Sequence, residues 1–564
     1  MSGWRPVAAD VSPTRPIHSV QPTRLIGPIQ PTHPVVRLVR HARLFGQGVI
    51  VRKWGPLFAI CLGSFMLLVD VTIVIVAMPD MSTDLGSSYT DLQWVLDAYS
   101  LAPAALMLGA GSLADRVGRR RVFGVGTVVF TAASLICALA SDTATLIAGR
   151  ALQGVGGAAM FATTIALLGH AYQGRDRGVA FGVWGSISGA AAAVGPILGG
   201  LLTQHFGWQA IFLINVPIGV LTVAMSRRML AESHGNRSAR PDLLGMFTFT
   251  LGAALLTYGF IRAGSDGWTE RGTLGVFVGA VLAFALFVSA EIRVAEPMID
   301  LALFRRGAFG AIMAAGLLIQ FAAFAAFPQM SVWLQSVLGH DPVEAGLALL
   351  PLAATSFVVS ALAGRFLHGV GPKWPLGIGA AFIGVGSLAL TLVDAGSHWT
   401  ALAPGLVLGG VGVGLAMPQM AGAALAAVPP ARAGMAGGAL NTFRQLGFAL
   451  GIAVVGVVFR DGAADSLRDA TAIGDPHTTA EALGGGRAQG IVAAAPAGSR
   501  DAVQGALREA FAAGLDRAFV LCGVLGLAAG ALVLLTVRSA PASRAGEPTR
   551  PAPEQEAAPA PVAK

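Results

Sequence analysis

The sequence predicts an all-α integral membrane protein of fourteen transmembrane helices, two pseudo-symmetric six-helix halves with two inserted central helices. Three observations carry that expectation: long apolar runs, arginines gathered in the short gaps between them, and a repeat that aligns Gly154 with Gly410, an offset of 256 residues. Of 564 residues, 54% are hydrophobic and only 12% charged, and the mean hydropathy is +0.68. A soluble chain is about one quarter charged.

A helix that crosses a bilayer needs ~20 mostly apolar residues. Such runs cover 54–78, 92–113, 122–140, 143–168, 178–203 and 209–227, then 242–262 and 272–291, then 307–335, 342–366, 373–393, 400–427, 433–459 and 513–537. The 74 glycines suit helices that pack closely. Basic short loops mark the cytoplasmic side. With the N-terminus inside, that side holds Arg116–Arg121, Arg175/Arg177, Arg227/Arg228/Arg237/Arg240, Arg293/Arg305/Arg306, Arg365/Lys373 and Arg432. The other side holds Asp80, Asp84, Asp91, Asp142, Asp341, Glu344 and Asp394. Both termini are then cytoplasmic, in a multi-pass protein of the cell membrane.

The expected domain organisation follows. Residues 1–53 are Pro-rich with eight Arg/Lys against one acid; they lack the apolar core of a signal peptide and read as a disordered basic tail. Residues 54–230 form the first bundle, 242–291 the two additional helices, and 305–460 plus 513–537 the second bundle. Residues 461–512 are a long extracytoplasmic loop whose last part reads as an amphipathic helix, and 538–564 are a second disordered tail. The pI of 10.1 does not imply nucleic acid, because the basic residues sit in short loops and form no continuous patch. Cys61, Cys137 and Cys522 all lie in apolar runs and read as buried small hydrophobes. No metal-ligand spacing or catalytic constellation appears. "GVGGAAM" looks like a nucleotide turn but lies inside an apolar helix with no preceding strand.

The repeat extends beyond one motif. Gly154-Val155-Gly156 aligns with Gly410-Val411-Gly412, Arg177-Gly178 with Ala433-Gly434, and Gly195 with Gly451. Two parallel homologous halves are a transporter architecture, with substrate bound between them near the midplane.

Several stretches resemble the major facilitator superfamily, in particular its fourteen-helix drug:proton antiporters. "GSLADRVGRRRV" is similar to the loop between helices 2 and 3, "LIAGRALQGVGGAAM" to the helix-4 motif, and "GAAAAVGPILGGLL" to the antiporter motif of helix 5. "LLVDVTIVIVAMP", "LQWVLDAYSLA", "WQAIFLINVPIG" and "GGALNTFRQLGFALGIAV" extend the match. Relatives commonly carry Asn where this chain has Ile75, and a small or hydroxyl residue where it has Asp97. The resemblance implies proton-driven export of drugs or other amphipathic small molecules by alternating access, powered by the proton gradient with no cofactor. The partners implied are substrate, protons and the lipid bilayer, for a protein read as a monomer, an adaptor protein being left open. A proton:metabolite symporter, or an exporter of a natural product or lipid, stays open on the same scaffold.

Ionisable side chains at membrane depth are costly and point to function. Asp70, Asp97, Arg150 and Arg444 lie clearly within spans. At ~1.5 Å per residue, Asp70 lies ~12 Å, Asp97 ~8 Å and Arg150 ~10 Å below the outer boundary. Two carboxylates sharing one guanidinium would form a proton-coupling site, since burial and a second acid favour protonation while a guanidinium opposes it. The other reading is a fixed ion pair between helices 1 and 4. Gln153 shares the Arg150 face. Asn441, Arg444 and Gln445 share one face of helix 13 at about the midplane and, with Trp94, Tyr99 and Gln153, are expected to line the substrate cavity. The resemblance implies that Asp115 with Arg116, Arg119 and Arg120 braces the two halves on the cytoplasmic side in the outward-facing state, Gly111 and Gly118 allowing close approach and a tight turn. It also implies that Gly195, Pro196, Gly199 and Gly200 make helix 5 a seal against uncoupled leak.

Overall fold

The computed structural model describes residues 34–537, apart from 235–241, 295–296, 298, 306, 368–369, 429–432, 469 and 471–472. The expectations for residues 1–33 and 538–564 lie outside the described residues. The chain divides into two compact units, 1–53 and 54–564. In the first, residues 34–53 are helical and not the irregular tail expected. The prolines that argued against structure end at Pro34, and none follows before Pro56.

The second unit is all-helical among the described residues. Its long helices are α1 (Lys53–Leu85), α2 (Tyr89–Val117), α3 (Arg119–Ala138), α4 (Thr143–Ala171), α5 (Gly174–Phe206), α6 (Ala210–Met229), α7 (Leu243–Asp266), α8 (Arg271–Arg293), α9 (Gly307–Val337), α10 (Pro342–Phe366), α11 (Lys373–Leu392), α12 (Trp399–Ala426), α13 (Ala433–Leu467) and α14 (Arg500–Thr536). Among the described residues, twelve candidate spans are long and apolar enough to cross a membrane, where fourteen were expected. The two others, α2 and α5, are helical over 29 and 33 residues.

The ends follow local chemistry. Ser88 and Asp91 form a reciprocal capping box at the start of α2. Asp142 caps α4 through the Thr145 amide, and Asp341 caps α10 through the Glu344 amide. α9, expected as one helix, is interrupted after Phe324 and ends in a π-helical turn, Trp333–Val337. Pro328 has no N–H for the Phe324 carbonyl, which accounts for the break.

The glycines of the repeat do the same job in each half. A methyl group built on Gly154 would stand 2.6 Å from the Tyr99 carbonyl on α2, and one on Gly410 would stand 2.5 Å from the Leu352 carbonyl on α10. A methyl on Gly156 would stand 2.6 Å from the Phe130 amide nitrogen on α3, and one on Gly412 would stand 2.7 Å from the Ile383 amide nitrogen on α11. Gly195 lies on Val69 of α1 and Gly451 on Ala325 of α9. The inserted pair, α7 and α8, meets edge-to-face through Phe249 and Phe287, centroids 5.3 Å apart. It packs on Leu101 of α2 and Ala449 of α13, along one seam between the halves.

The 461–512 stretch departs from the expected loop. α13 continues to Leu467, two short helices cover Pro476–Gly484 and Ala488–Ala494, and α14 begins at Arg500. The segment read as a separate amphipathic helix is the first part of α14, because no Gly-Pro break separates it from the apolar run.

Candidate functional site

Asp70 sits at the centre of the first bundle, with no solvent exposure. Its Oδ2 accepts from Arg150 Nη1 at 2.5 Å. Its Oδ1 accepts from Gln153 Nε2 at 2.7 Å and from Asn215 Nδ2 at 2.9 Å. Ser134 Oγ accepts from the same two amides, at 2.9 Å and 3.3 Å. Arg150 is fixed in turn: Nε donates to the Val95 carbonyl at 3.1 Å, Nη1 donates to Gln153 Oε1 at 2.7 Å, and the guanidinium lies 4.3 Å from the Tyr99 ring centroid. One carboxylate thus ties α1, α3, α4 and α6 together, with α2 holding the arginine. Three donors around two oxygens fit a charged acceptor; a proton on either oxygen would face a donor and break part of the cage.

The sequence pointed to Asp70, Arg150 and Gln153 but not to Ser134 or Asn215. Ser134 is one small hydroxyl among many. Asn215 did carry a signal, as an amide alone between apolar neighbours in "FLINVPIG". Ile75 is buried in the apolar core, and the amide that reaches Asp70 comes from α6.

Asp97 corrects the expected trio. It is buried, yet neither carboxylate oxygen has a hydrogen-bond partner, and it does not join Arg150. Depth was not the error; direction was. Arg150 bonds the Val95 carbonyl, and a side chain two residues on points ~200° around the helix. Asp97 shares the face of Gln93, whose Nε2 donates to the Ile452 carbonyl of α13 at 3.1 Å. Asp97 therefore belongs to the α2–α13 seam between the halves.

The expected cavity residues divide in two. Gln153 and Tyr99 are buried in the Asp70 network, and the Trp94 ring lies 6.1 Å from Tyr258 on the inserted α7. Helix spacing gives a residue's level, while burial depends on which neighbour fills its face, and Trp94 is only half-buried. Asn441, Arg444 and Gln445 are half-buried on one face of α13. Arg444 Nε donates to Gln320 of α9 at 3.3 Å and Nη1 to Asn441 at 3.4 Å. Arg444 has no ion pair among the described residues.

The Arg-rich loop binds its own half. Asp115 pairs with Arg119 at 2.8 Å. Glu232, just past α6, takes the Arg120 amide at 3.0 Å and lies 3.5 Å and 3.8 Å from the Arg120 and Arg121 side chains. Arg116 is exposed without an ion pair among the described residues. The brace across the halves that the resemblance implies for Asp115, Arg116, Arg119 and Arg120 belongs to the outward-facing state; in this structure Asp115 and Arg120 are paired within the first half. Gly118 has φ +121°, and a methyl there would stand 2.6 Å from the Glu232 carboxylate, so glycine is required. Gly111 meets nothing within 4 Å, and nor do Gly422 and Gly437 at the same end of α12 and α13.

The opposite end is tightly closed. A methyl built on Gly199 would stand 2.8 Å from the Ile73 carbonyl oxygen, and one on Gly195 would collide with Thr72. A methyl built on Gly200 would stand 2.6 Å from Val343 Cα, and one on Gly346 would collide with the Pro196 carbonyl group. α5 is thereby pressed between α1 of its own half and α10 of the other. Beside it Tyr89 bonds Gln329 across the halves, and Arg487 Nη2 donates to the Ser87 and Gly86 carbonyls at 2.7 Å and 3.1 Å.

A two-lobed helical bundle, tightly closed between its lobes at one end and holding a caged carboxylate in one of them, is the construction of a membrane transporter. The chain belongs to the Major Facilitator Superfamily, whose profile matches residues 60–452. It is 32% identical to the tetracenomycin C resistance and export protein of Streptomyces glaucescens over 509 residues, 89% of this chain and 95% of that one. It is 36% identical to the multidrug resistance protein Stp of Mycobacterium tuberculosis, covering 71% and 75%, and 35% identical to the methylenomycin A resistance protein of Bacillus subtilis, covering 71% and 86%. In fold it is similar to the human organic anion transporter MFSD10, with TM-score 0.57 and 14% identity over 85% of this chain and 99% of that one.

Proposed function

We propose that the chain exports amphipathic small molecules across the cell membrane by proton antiport, with fourteen membrane-crossing helices and both termini cytoplasmic. The observation that carries the coupling is the Asp70 cage, a buried carboxylate held by Arg150, Gln153 and Asn215 from two other helices. The closed α5–α10 seam and the unfilled ends of α2, α12 and α13 support an inward-facing, deprotonated state. In this reading a proton arriving from outside takes one lone pair of Asp70, frees Arg150 from its partner, and changes how α1, α4 and α6 are held. Loss of that proton to the cytoplasm restores the cage and resets the bundle for substrate. The names of three relatives, which refer to resistance or export, support the direction.

The test is accumulation of tetracenomycin C and of ethidium in inverted vesicles energised by an acidic interior. The parent should accumulate at least one probe uphill, and Asp70→Asn should only equilibrate it. A parent that empties vesicles when energised would make it an importer. Uphill accumulation by Asp70→Asn equal to the parent would remove Asp70 from the coupling.

A further inference from the structure

The end of the bundle opposite the Arg-rich loops carries a groove of about 350 Å³. It lies between the last turn of α9, the short helix Ala488–Ala494 and the first turns of α14. Its apolar side is Val337, Val492 and Leu507; its polar side is Arg500, Arg508 and Gln504, and no acid lines it. Arg500 is held in place by the Ala495 carbonyl, 3.1 Å from Nε, and the Ala493 carbonyl, 3.2 Å from Nη2. Arg508 Nε is buried without a hydrogen-bond partner. Neither arginine is in an ion pair among the described residues. Two guanidiniums share a concave site with no counter-charge, and an orphaned buried donor calls for a partner.

We propose that this groove binds the phosphate headgroup of an anionic glycerophospholipid of the outer leaflet. The volume is that of a small-ligand site, enough for a phosphoglycerol headgroup. Arginine forks suit phosphate oxygens. The groove opens where α9 ends at Val337, and α14 runs uncharged from Ala518 onward, beyond Asp516 and Arg517. A lipid can therefore place its phosphate on the arginines while its chains stay in the bilayer. Bound there, it would tie the Ala488–Ala494 helix to α9 and α14. The inference uses the proposed orientation but not the proposed transport.

The experiment is native mass spectrometry of the purified full chain in neutral detergent, titrated with phosphatidylglycerol, phosphatidylcholine or glycerol phosphate. Phosphatidylglycerol should be retained, with phosphatidylcholine and glycerol phosphate at background. The double variant R500Q/R508Q should bind phosphatidylglycerol about tenfold or more weakly, from the loss of two charge-assisted contacts. R500K/R508K should keep most of the binding, which separates lost charge from lost fold. R468Q, an arginine bonded to Asp465 outside the groove, should bind like the parent. Equal retention of phosphatidylcholine, equal weakening by R468Q, equal binding of glycerol phosphate, or unchanged binding by R500Q/R508Q would each overturn the proposal.

Discussion

Asp70→Asn offers the sharpest perturbation, because the cage states what an amide does there. Asn keeps one carbonyl oxygen for Gln153 and Asn215 but sets an NH2 against Arg150 Nη1, which stands 2.5 Å from the native oxygen. A guanidinium 1% exposed is left without its anion. Removing one partner of a buried pair costs ~3–5 kcal/mol. Asp70→Asn should thus lower thermal stability clearly and abolish uphill transport. The double variant Asp70→Asn/Arg150→Gln removes both charges. It should recover most of that stability, since no charge is stranded, and the two changes couple strongly because the residues touch. It should not recover uphill accumulation, because no proton carrier is restored. Stability is read by thermal denaturation of purified protein, and transport in inverted vesicles under an imposed pH gradient. Stability regained together with uphill transport would mean that Asp70–Arg150 only fastens α1 to α4, and the coupling argument would fall.

Other outcomes follow from single contacts. Gly118→Ala should lower stability by ~1–3 kcal/mol, because φ +121° is strained for a side chain; an unchanged melting temperature would contradict the assigned backbone. Gly200→Val should cost ~1–3 kcal/mol in the closed seam, where Val343 Cα stands 2.6 Å from a built methyl. Labelling of cysteines placed along α5 and α10 should then rise, and unchanged labelling would show that the seam has slack. The Asp475 carboxylate is held below its usual range by the Thr478 hydroxyl and amide. A depressed carboxylate supports the fold above its unfolded pKa of ~3.9 and stops doing so as pH falls through its lower folded value. Hydrogen exchange in Pro476–Gly484 should therefore respond no differently at pH 5 and pH 7 once corrected for intrinsic rates, and Asp475→Ala should accelerate it at both.

Much of the architecture could be read from the chain because apolar length and loop arginines are global signals. The α10 boundaries, 342–366, coincide with the expected run, and Asp341 with Pro342 announces its start. Gly154 and Gly410 could be paired because backbone contact tolerates little else. Depth arithmetic also placed Asp70 and Arg150 at one level. It could not supply azimuth: Val95 and Asp97 share a depth to within a turn, yet only Val95 turns to Arg150. Asn215 and Ser134 stayed unread for a related reason, since an isolated polar residue in an apolar helix shows no period. The Pro476–Gly484 and Ala488–Ala494 helices were missed because Gly and mixed charge resemble an irregular loop, while their packing on Tyr89 and Pro79 comes from distant sequence.

The most direct measurement is proton release on substrate binding by purified protein in weak buffer. No membrane gradient is present, and tetracenomycin C and ethidium serve as probes. Antiport through Asp70 predicts that at least one probe releases protons from the parent, and that the release disappears in Asp70→Asn while probe binding persists. Equal release from both proteins would contradict it.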